Sequence, residues 1–185
     1  MQTKILPGML DSATEFFVLN HEVKFIQNGA VKNFTDIPFS TFEIIKEKIN
    51  ADVDVKCALI EMHPTSEMKR IEQFITCRFG GVDCRADIHN NEMQDGEYWD
   101  CPKRGTCQFE GTLCKLPTFN KARLSLQDVV LMQLTATSLT NDVIADVMKV
   151  PYGTFHLIKK RLYEMLGNIQ TKQECAVISQ SLNLI

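Results

Sequence analysis

The feature that most constrains this chain is a short interruption between two helical patterns in its C-terminal third. Residues 139–148 carry apolar side chains at helical spacing, with Val143, Ile144 and Val147 expected on the inner face, and residues 154–166 do so again. Between them stand Pro151 and Gly153, residue types that end helices and form turns. Thr140 or Asn141 can cap the first helix with a side-chain oxygen. The sequence therefore predicts two helices joined by a tight turn.

The second of these helices is predicted to have one buried face and one free face. Phe155, Ile158 and Leu162 fall on one side, together with Met165 or Leu166 one turn later. The opposite side carries Gly153, His156, Leu157 and Lys160. A recognition helix has this arrangement, because its buried face fixes the angle at which the other face enters a major groove. We therefore expect His156, Leu157 and Lys160 to face DNA, with further contacts near phosphates from Thr140, Asn141, Thr154 and Lys159.

The segment from Leu124 to Ile185 resembles, without a gap, the LuxR/FixJ-type helix-turn-helix of transcriptional regulators. The matching positions, in chain order, are Leu124-Ser125, Leu139-Thr140-Asn141, Ile144-Ala145, Thr154-Phe155-His156, Leu166-Gly167, Glu174-Cys175-Ala176 and Leu184-Ile185. The resemblance implies four helices, with residues 154–166 as the recognition helix, and a function in sequence-specific binding of double-stranded DNA.

The same segment departs from the family pattern at three places. Gln127-Asp128-Val129 replaces Arg-Glu-Arg in the first helix, His156 replaces a lysine, and Pro151 stands where a capping Ser or Thr is common. The turn at 150–154 also resembles that of sigma-factor region four. A further helical segment after Gly167 favours the LuxR type.

The charge of the chain is unevenly distributed. The net charge is -3, yet residues 121–185 hold seven Lys/Arg against five Asp/Glu. Affinity for DNA of any sequence comes from phosphates neutralised by basic side chains, so one weakly basic copy should bind feebly. We therefore expect a homodimer, because two copies share two half-sites.

Five of the seven cysteines lie between residues 77 and 114 in a stretch rich in glycine and charge. In a chain expected in the cytoplasm, such a cluster indicates metal or redox chemistry before disulfides. The predicted ligands are Cys77, Cys101, Cys107 and Cys114, with Cys84 as the alternate. Four thiolates would form a closed, structural zinc site. An iron–sulfur cluster is the alternative, since four thiolates hold it too, and reduced metal-free thiols are a third.

Other features of the cysteine segment leave the choice of metal open. Residues 77–84 and 107–114 share the pattern Cys-x-Phe-x-Gly-x-x-Cys, but no Cys-x-x-Cys pair occurs. His63 and His89 are possible substitute ligands. Cys57 and Cys175 lie within apolar helical patterns and are expected to be small core residues.

The front of the chain predicts a β-hairpin followed by three helices. Residues 22–26 and 30–34 flank Asn28-Gly29, the strongest short hairpin signal. Helices are expected at about 40–50, capped near Ser40 or Thr41, at 52–62 and at 66–76. Their expected inward residues are Phe42, Ile44 or Ile45, Ile49, Ala58 or Leu59, Met68, Ile71 and Phe74 or Ile75.

These patterns together predict a mainly α fold with an α+β N-terminal part. The predicted parts are an interaction region at 1–76, a cysteine-rich metal-binding module at 77–120 and a LuxR-like DNA-binding domain at 121–185. No apolar run is long enough to cross a bilayer, and the start of the chain has no secretion pattern, so a cytoplasmic, non-membrane protein is expected. No phosphate-binding loop or catalytic Ser/His/Asp pattern indicates an enzyme.

The predicted function is that of a DNA-binding transcriptional regulator with a structural metal site, in contact with the transcription machinery or another protein. Two alternatives stay open. One is a protein-interaction module that keeps the helix-turn-helix fold without binding DNA, and the other is an iron–sulfur redox-sensing regulator.

Overall fold

The computed structural model describes residues 5–185, and the chain divides into two compact units. The first extends to Lys115 and the second runs from Leu116 to Ile185. The segment predicted as a separate cysteine-rich module at 77–120 therefore lies, up to Lys115, within the first unit. The reason is burial, because Ile88, Met93 and Leu113 join the hydrophobic core of the N-terminal part.

A three-stranded antiparallel sheet begins the first unit. Its strands β1 (Glu15–Leu19), β2 (Glu22–Gln27) and β3 (Ala30–Asn33) follow one another in chain order. The hairpin predicted around Asn28-Gly29 is confirmed, and β1 adds a strand that was not predicted. Both tight turns have positive φ at their two central residues, as type I′ turns require.

Three helices follow the sheet close to their predicted bounds: α1 (Phe39–Asn50), α2 (Val53–Met62) and α3 (Glu67–Arg78). Asp52 caps α2 and Ser66 caps α3, each by accepting a backbone N–H three residues later. The predicted cap of α1 near Ser40 or Thr41 is wrong. That helix begins earlier, at Phe39 after Pro38, and its N-cap makes no side-chain hydrogen bond.

The core of the first unit lies where these helices meet the sheet. Its largest fully buried side chains are Phe16, Phe25, Ile45, Leu59, Ile71, Phe74, Ile75, Phe79 and Leu113. Most of the predicted inward residues are buried here or packed against this core. Met68 and Cys57 are exceptions, since both are exposed. Helical spacing tells which residues share a face, whereas the neighbouring elements decide how wide the buried face is.

The rest of the first unit is largely irregular. After α3 the chain forms one short hairpin, β4 (Ile88–His89) and β5 (Glu92–Met93), and then continues through turns to Lys115. Thr14 forms an isolated bridge with Ile88, so this hairpin is tied to the start of β1. The cysteine segment is thus held between α3 and the first sheet.

The second unit consists of a small hairpin and four helices. The hairpin is β6 (Thr118–Phe119) with β7 (Ala122–Arg123). The helices are α4 (Leu126–Thr135), α5 (Asn141–Val147), α6 (Tyr152–Met165) and α7 (Lys172–Ser181). The predicted pair of helices separated by a short turn is α5 and α6. Thr140 is the N-cap of α5 as predicted, but its side chain makes no capping hydrogen bond.

One buried carboxylate links two helices of the second unit. Asp128 belongs to a capping box with Ser125 at the start of α4, and its Oδ1 accepts a hydrogen bond of 2.6 Å from Arg161 on α6. Burial by itself would raise the pKa of Asp128, but the hydrogen bonds from Ser125 and the contact with Arg161 hold it below its ordinary value. The carboxylate stays charged and fixes α6 against α4.

No helix within residues 5–185 has both the length and the apolar character that crossing a membrane requires.

We predict that Asp128→Ala destabilises the second unit by about 1–3 kcal/mol, because it removes the carboxylate that accepts the backbone N–H of Ser125 in the capping box of α4 and leaves the Arg161 contact unmade. Urea unfolding followed by circular dichroism measures the loss. Asp146→Ala is the matched control, since Asp146 is exposed on α5. Equal stability of the two variants would contradict this role for Asp128.

Candidate functional site

The four cysteines predicted as metal ligands line one cavity in the first unit. Cys77, Cys101, Cys107 and Cys114 all border a space of about 600 Å³. Each of the four is half-buried, and none is in a disulfide. Cys84, the predicted alternate, is exposed and does not line this cavity. The structure thus brings together the preferred set and leaves the alternate outside it.

Helix α3 holds Cys77 in place. The residue lies in the last turn of the helix, and Gln73 one turn earlier donates a hydrogen bond of 3.2 Å to its Sγ. Burial raises the pKa of the Cys77 thiol to about 11, against the lowering effect of Gln73, and the nearby thiols of Cys114, Cys101 and Cys107 raise it further. The other three cysteines therefore lie close enough to Cys77 to affect its thiol electrostatically.

The other three cysteines lie on a chain of turns that Arg104 holds together. Its guanidinium donates to the carbonyl of Trp99 at 3.1 Å and forms an ion pair with Glu110 at 3.5 Å. The second carboxylate oxygen of Glu110 accepts the backbone N–H of Gly105 at 2.6 Å. The guanidinium also lies 4.5 Å from the ring centre of Tyr98. The guanidinium of Arg104 thus connects several residues of a segment that has no regular secondary structure.

Two buried donors beside the thiols lack partners. Trp99 Nε1 and Arg104 Nε are buried, and neither has a hydrogen-bond partner within residues 5–185. Both residues line the cysteine cavity. Buried N–H groups are almost always paired, so these two donors are exceptions. The sequence analysis missed both, although Trp99 is the single tryptophan of the chain and stands two residues before Cys101.

The histidines proposed as substitute ligands lie elsewhere. Neither His63 nor His89 lines the cavity, whereas His21 does. Within residues 5–185, no three histidine, cysteine, aspartate or glutamate side chains are arranged to hold a metal ion as they stand. The predicted core role of the remaining cysteines is confirmed for Cys175, which is fully buried on α7, and is wrong for Cys57.

A cluster of four acidic residues lies next to the cysteine segment and was also missed. Backbone N–H groups donate to three of them: Gly81 to Glu97 at 2.7 Å, Asp83 to Glu15 at 2.9 Å, and Phe16 to Asp87 at 2.6 Å. Burial raises the pKa of Glu15 to about 8 and that of Glu97 to about 7, and the neighbouring carboxyl groups contribute. Burial also raises the pKa of Asp87 well above its ordinary value. Burial and the neighbouring carboxyl groups therefore raise the pKa of three members of this cluster, Glu15, Asp87 and Glu97.

The second candidate site is the exposed face of α6. Phe155 and Leu162 are fully buried and Ile158 is half-buried, as predicted. The opposite face leaves exposed the residues expected to contact DNA, namely Thr154, His156, Leu157 and Lys160. Thr140, at the start of α5, is exposed too.

Two of the residues expected near phosphates, Asn141 and Lys159, are not fully exposed but hydrogen-bonded to each other. Both are half-buried, and Lys159 Nζ donates to Asn141 Oδ1 at 3.3 Å and lies 5.1 Å from the ring centre of Tyr163. Burial lowers the pKa of Lys159, and nearby Lys172 adds to this effect. These two side chains join α5 to α6.

Helix α5 exposes apolar side chains that were expected to be buried. Ile144 and Ala145 are buried, but Val143 and Val147 are 41% and 53% exposed. Leu157 on α6 is 70% exposed. The helix pair therefore combines polar and apolar side chains on its accessible surface.

Comparison with protein-family models, with curated proteins and with solved structures finds no match for this chain.

We predict that the first unit loses stability as the pH rises from about 5 to about 8, because folding raises the pKa of Glu15 to about 8 and that of Glu97 to about 7. Carboxyl groups with raised pKa values bind protons in the folded state that the unfolded state has released, so raising the pH favours unfolding. Urea unfolding followed by the fluorescence of Trp99 measures this unit at each pH. Glu15→Gln, which stays neutral, should flatten the dependence. Wild-type stability that is constant or rises over this range would contradict the prediction.

Proposed function

We propose that this protein is a cytoplasmic, sequence-specific DNA-binding transcriptional regulator, and that its second unit is a LuxR-like helix-turn-helix. The observation that carries the proposal is the division of α6 into two faces. Phe155 and Leu162 are buried, while His156, Leu157 and Lys160 are exposed. A recognition helix needs both, since the buried face sets its orientation and the exposed face contacts bases.

The side chains on the exposed face suit the major groove. Lys160 can donate to guanine or to a phosphate, and His156 can donate to base edges. Leu157 can pack against a thymine methyl group. Thr140 and Thr154 lie at or near the N-terminal ends of α5 and α6, where hydroxyl and backbone N–H groups are available for phosphate oxygens. The face thus supplies both positioning and base-reading groups.

The pair Asn141 and Lys159 supports the proposal by holding the two helices together. Because Lys159 hydrogen-bonds Asn141 across the two helices, its charge is partly used within the protein. We infer that the pair holds α5 and α6 in a fixed relation. Arg161, bound to Asp128, fixes α6 against α4 in the same manner.

The proposed regulator also has a metal site formed by Cys77, Cys101, Cys107 and Cys114. The four thiols border one cavity beside two orphaned donors, which supports a bound group there. The residues present fit the chemistry of thiolate ligation.

We predict that the protein acts on DNA as a dimer. Residues 121–185 hold seven Lys/Arg against five Asp/Glu, so a single copy neutralises few phosphates. Light scattering of the free protein and of its DNA complex should give two chains in the complex. A strict monomer that binds a single half-site tightly would contradict this prediction.

We predict that Lys160→Glu weakens DNA binding by about 1–3 kcal/mol or more, because it removes a donor and places a negative charge against the phosphates. Lys160 is exposed, so the fold should survive. The test is a gel shift on oligonucleotides enriched by the wild type from a random pool, at fixed low salt.

The matched control is Lys121→Glu, which makes the same change of charge at an exposed turn between β6 and β7. Circular dichroism confirms folding of both variants. Equal affinity of the Lys160→Glu variant and the wild type would reject α6 as the recognition helix.

A protein-interaction module without DNA binding is the second candidate. The observation in its favour is the exposure of Val143, Val147 and Leu157, since exposed apolar side chains of this kind mark protein contacts. A wild type that enriches no DNA from the pool would favour this candidate over the regulator.

A further inference from the structure

We propose that the cysteine cavity is a site for a [4Fe–4S] cluster, held by Cys77, Cys101, Cys107 and Cys114, and not for a single zinc ion. This inference rests on the proposed metal site and is independent of DNA binding. Three observations carry it. They are the cavity that the four cysteines line, the two buried donors of Trp99 and Arg104, and the contacts that hold residues 99–114 against α3.

The first observation is the space. In a tetrahedral zinc site with Zn–S bonds of about 2.3 Å, the sulfurs lie about 3.8 Å from one another, in contact around a point. Here the four cysteines line, together with other residues, a cavity of about 600 Å³. A cubane cluster places four irons and four sulfides between its four thiolates, and therefore needs an open volume where zinc needs none.

The second observation is the pair of donors. On binding, each thiol would lose its proton to solvent and its sulfur would bond one iron, so the cluster with its four thiolates would be anionic. Cluster sulfides and thiolates accept hydrogen bonds, and such bonds tune the reduction potential. Trp99 and Arg104 line the cavity, and their buried Nε1–H and Nε–H groups have no acceptor within the described part of the chain. Arg104 also supplies a positive charge beside the proposed anion.

The third observation is that the ligand segment is held before any metal binds. Arg104 bonds Trp99 and Glu110, and buried Arg78 bonds the carbonyl of Thr112 at 3.1 Å. These contacts fix the segment that carries three of the ligands against the helix that carries the fourth. Cys77 is fixed in turn by Gln73. The cavity is thus built by polar contacts that leave the four thiols free for iron.

The decisive experiment is reconstitution of the full chain without oxygen, with ferric and ferrous iron in equal amounts and sulfide as the probe, so that the cluster reaches its oxidised state without a further oxidant. A parallel sample receives zinc alone. We expect about four irons and about four acid-labile sulfides per chain, with broad visible absorption that bleaches on reduction. Retention of one zinc and no assembly of iron and sulfide would overturn the proposal. So would a chain that retains neither.

Cysteine variants identify the ligands. Cys107→Ser and Cys114→Ser should lose the visible absorption and most of the iron, while the matched control Cys84→Ser, at an exposed cysteine outside the cavity, should keep both. Trp99 fluorescence and circular dichroism verify folding. A cluster that survives both ligand changes, or is lost in Cys84→Ser, would overturn this ligand set.

Trp99→Phe tests the hydrogen bond separately from the ligands. The ring is kept and the N–H is lost, so the cluster should still assemble but with a more negative reduction potential, because a bond that stabilises the added electron is missing. An unchanged potential would overturn this role of Trp99. Gel shifts on the same preparations test DNA binding separately from the cluster. The two proposals can fail independently, because a chain with the cluster can fail to bind DNA and a chain without it can still bind.

Discussion

The organisation of the first unit depends on the buried guanidinium of Arg78. Its Nε donates to the carbonyl of Leu113 and its Nη2 to that of Thr112, so the end of α3 is tied to a segment 34 and 35 residues later in the chain. Cys77 precedes Arg78 and Cys114 follows Leu113, which brings these thiols to the same cavity. Gly96 is required beside this side chain, because a Cβ there would lie 2.7 Å from the Arg78 Cδ.

In the second unit a buried anion, not a buried cation, links two distant segments of the chain. Asp128 is the buried partner, and Arg161 reaches it from α6. The segment Gln127-Asp128-Val129 of α4 therefore has a structural role, since its central residue is the carboxylate that orients α6. In both units a buried charge, satisfied by hydrogen bonds, fixes the element that carries the candidate site.

Local signals in the sequence were sufficient to predict an element where it depends on one strong turn signal or on apolar residues repeated at helical spacing. The Asn28-Gly29 pair predicted the hairpin of β2 and β3. The helical spacing of apolar residues predicted the three helices α1, α2 and α3. Three further hairpins turn at Asn20-His21, Asn90-Asn91 and Asn120-Lys121, each with two positive φ angles. These were missed because, without glycine, an Asn-first pair is a weak signal, and because two of the hairpins have strands of only two residues.

By itself the sequence determined the helices, the turn before α6, its two faces and the group of cysteines, because these depend on spacing along the chain. Tertiary structure decided the rest: that four cysteines line one cavity together with Trp99 and Arg104, and that Val143 and Val147 are exposed. Periodicity tells which side chains share a face, but only contacts between distant segments determine which faces are covered. For the same reason Glu15 and Asp87, far apart in sequence, become one buried acidic cluster only in the folded chain.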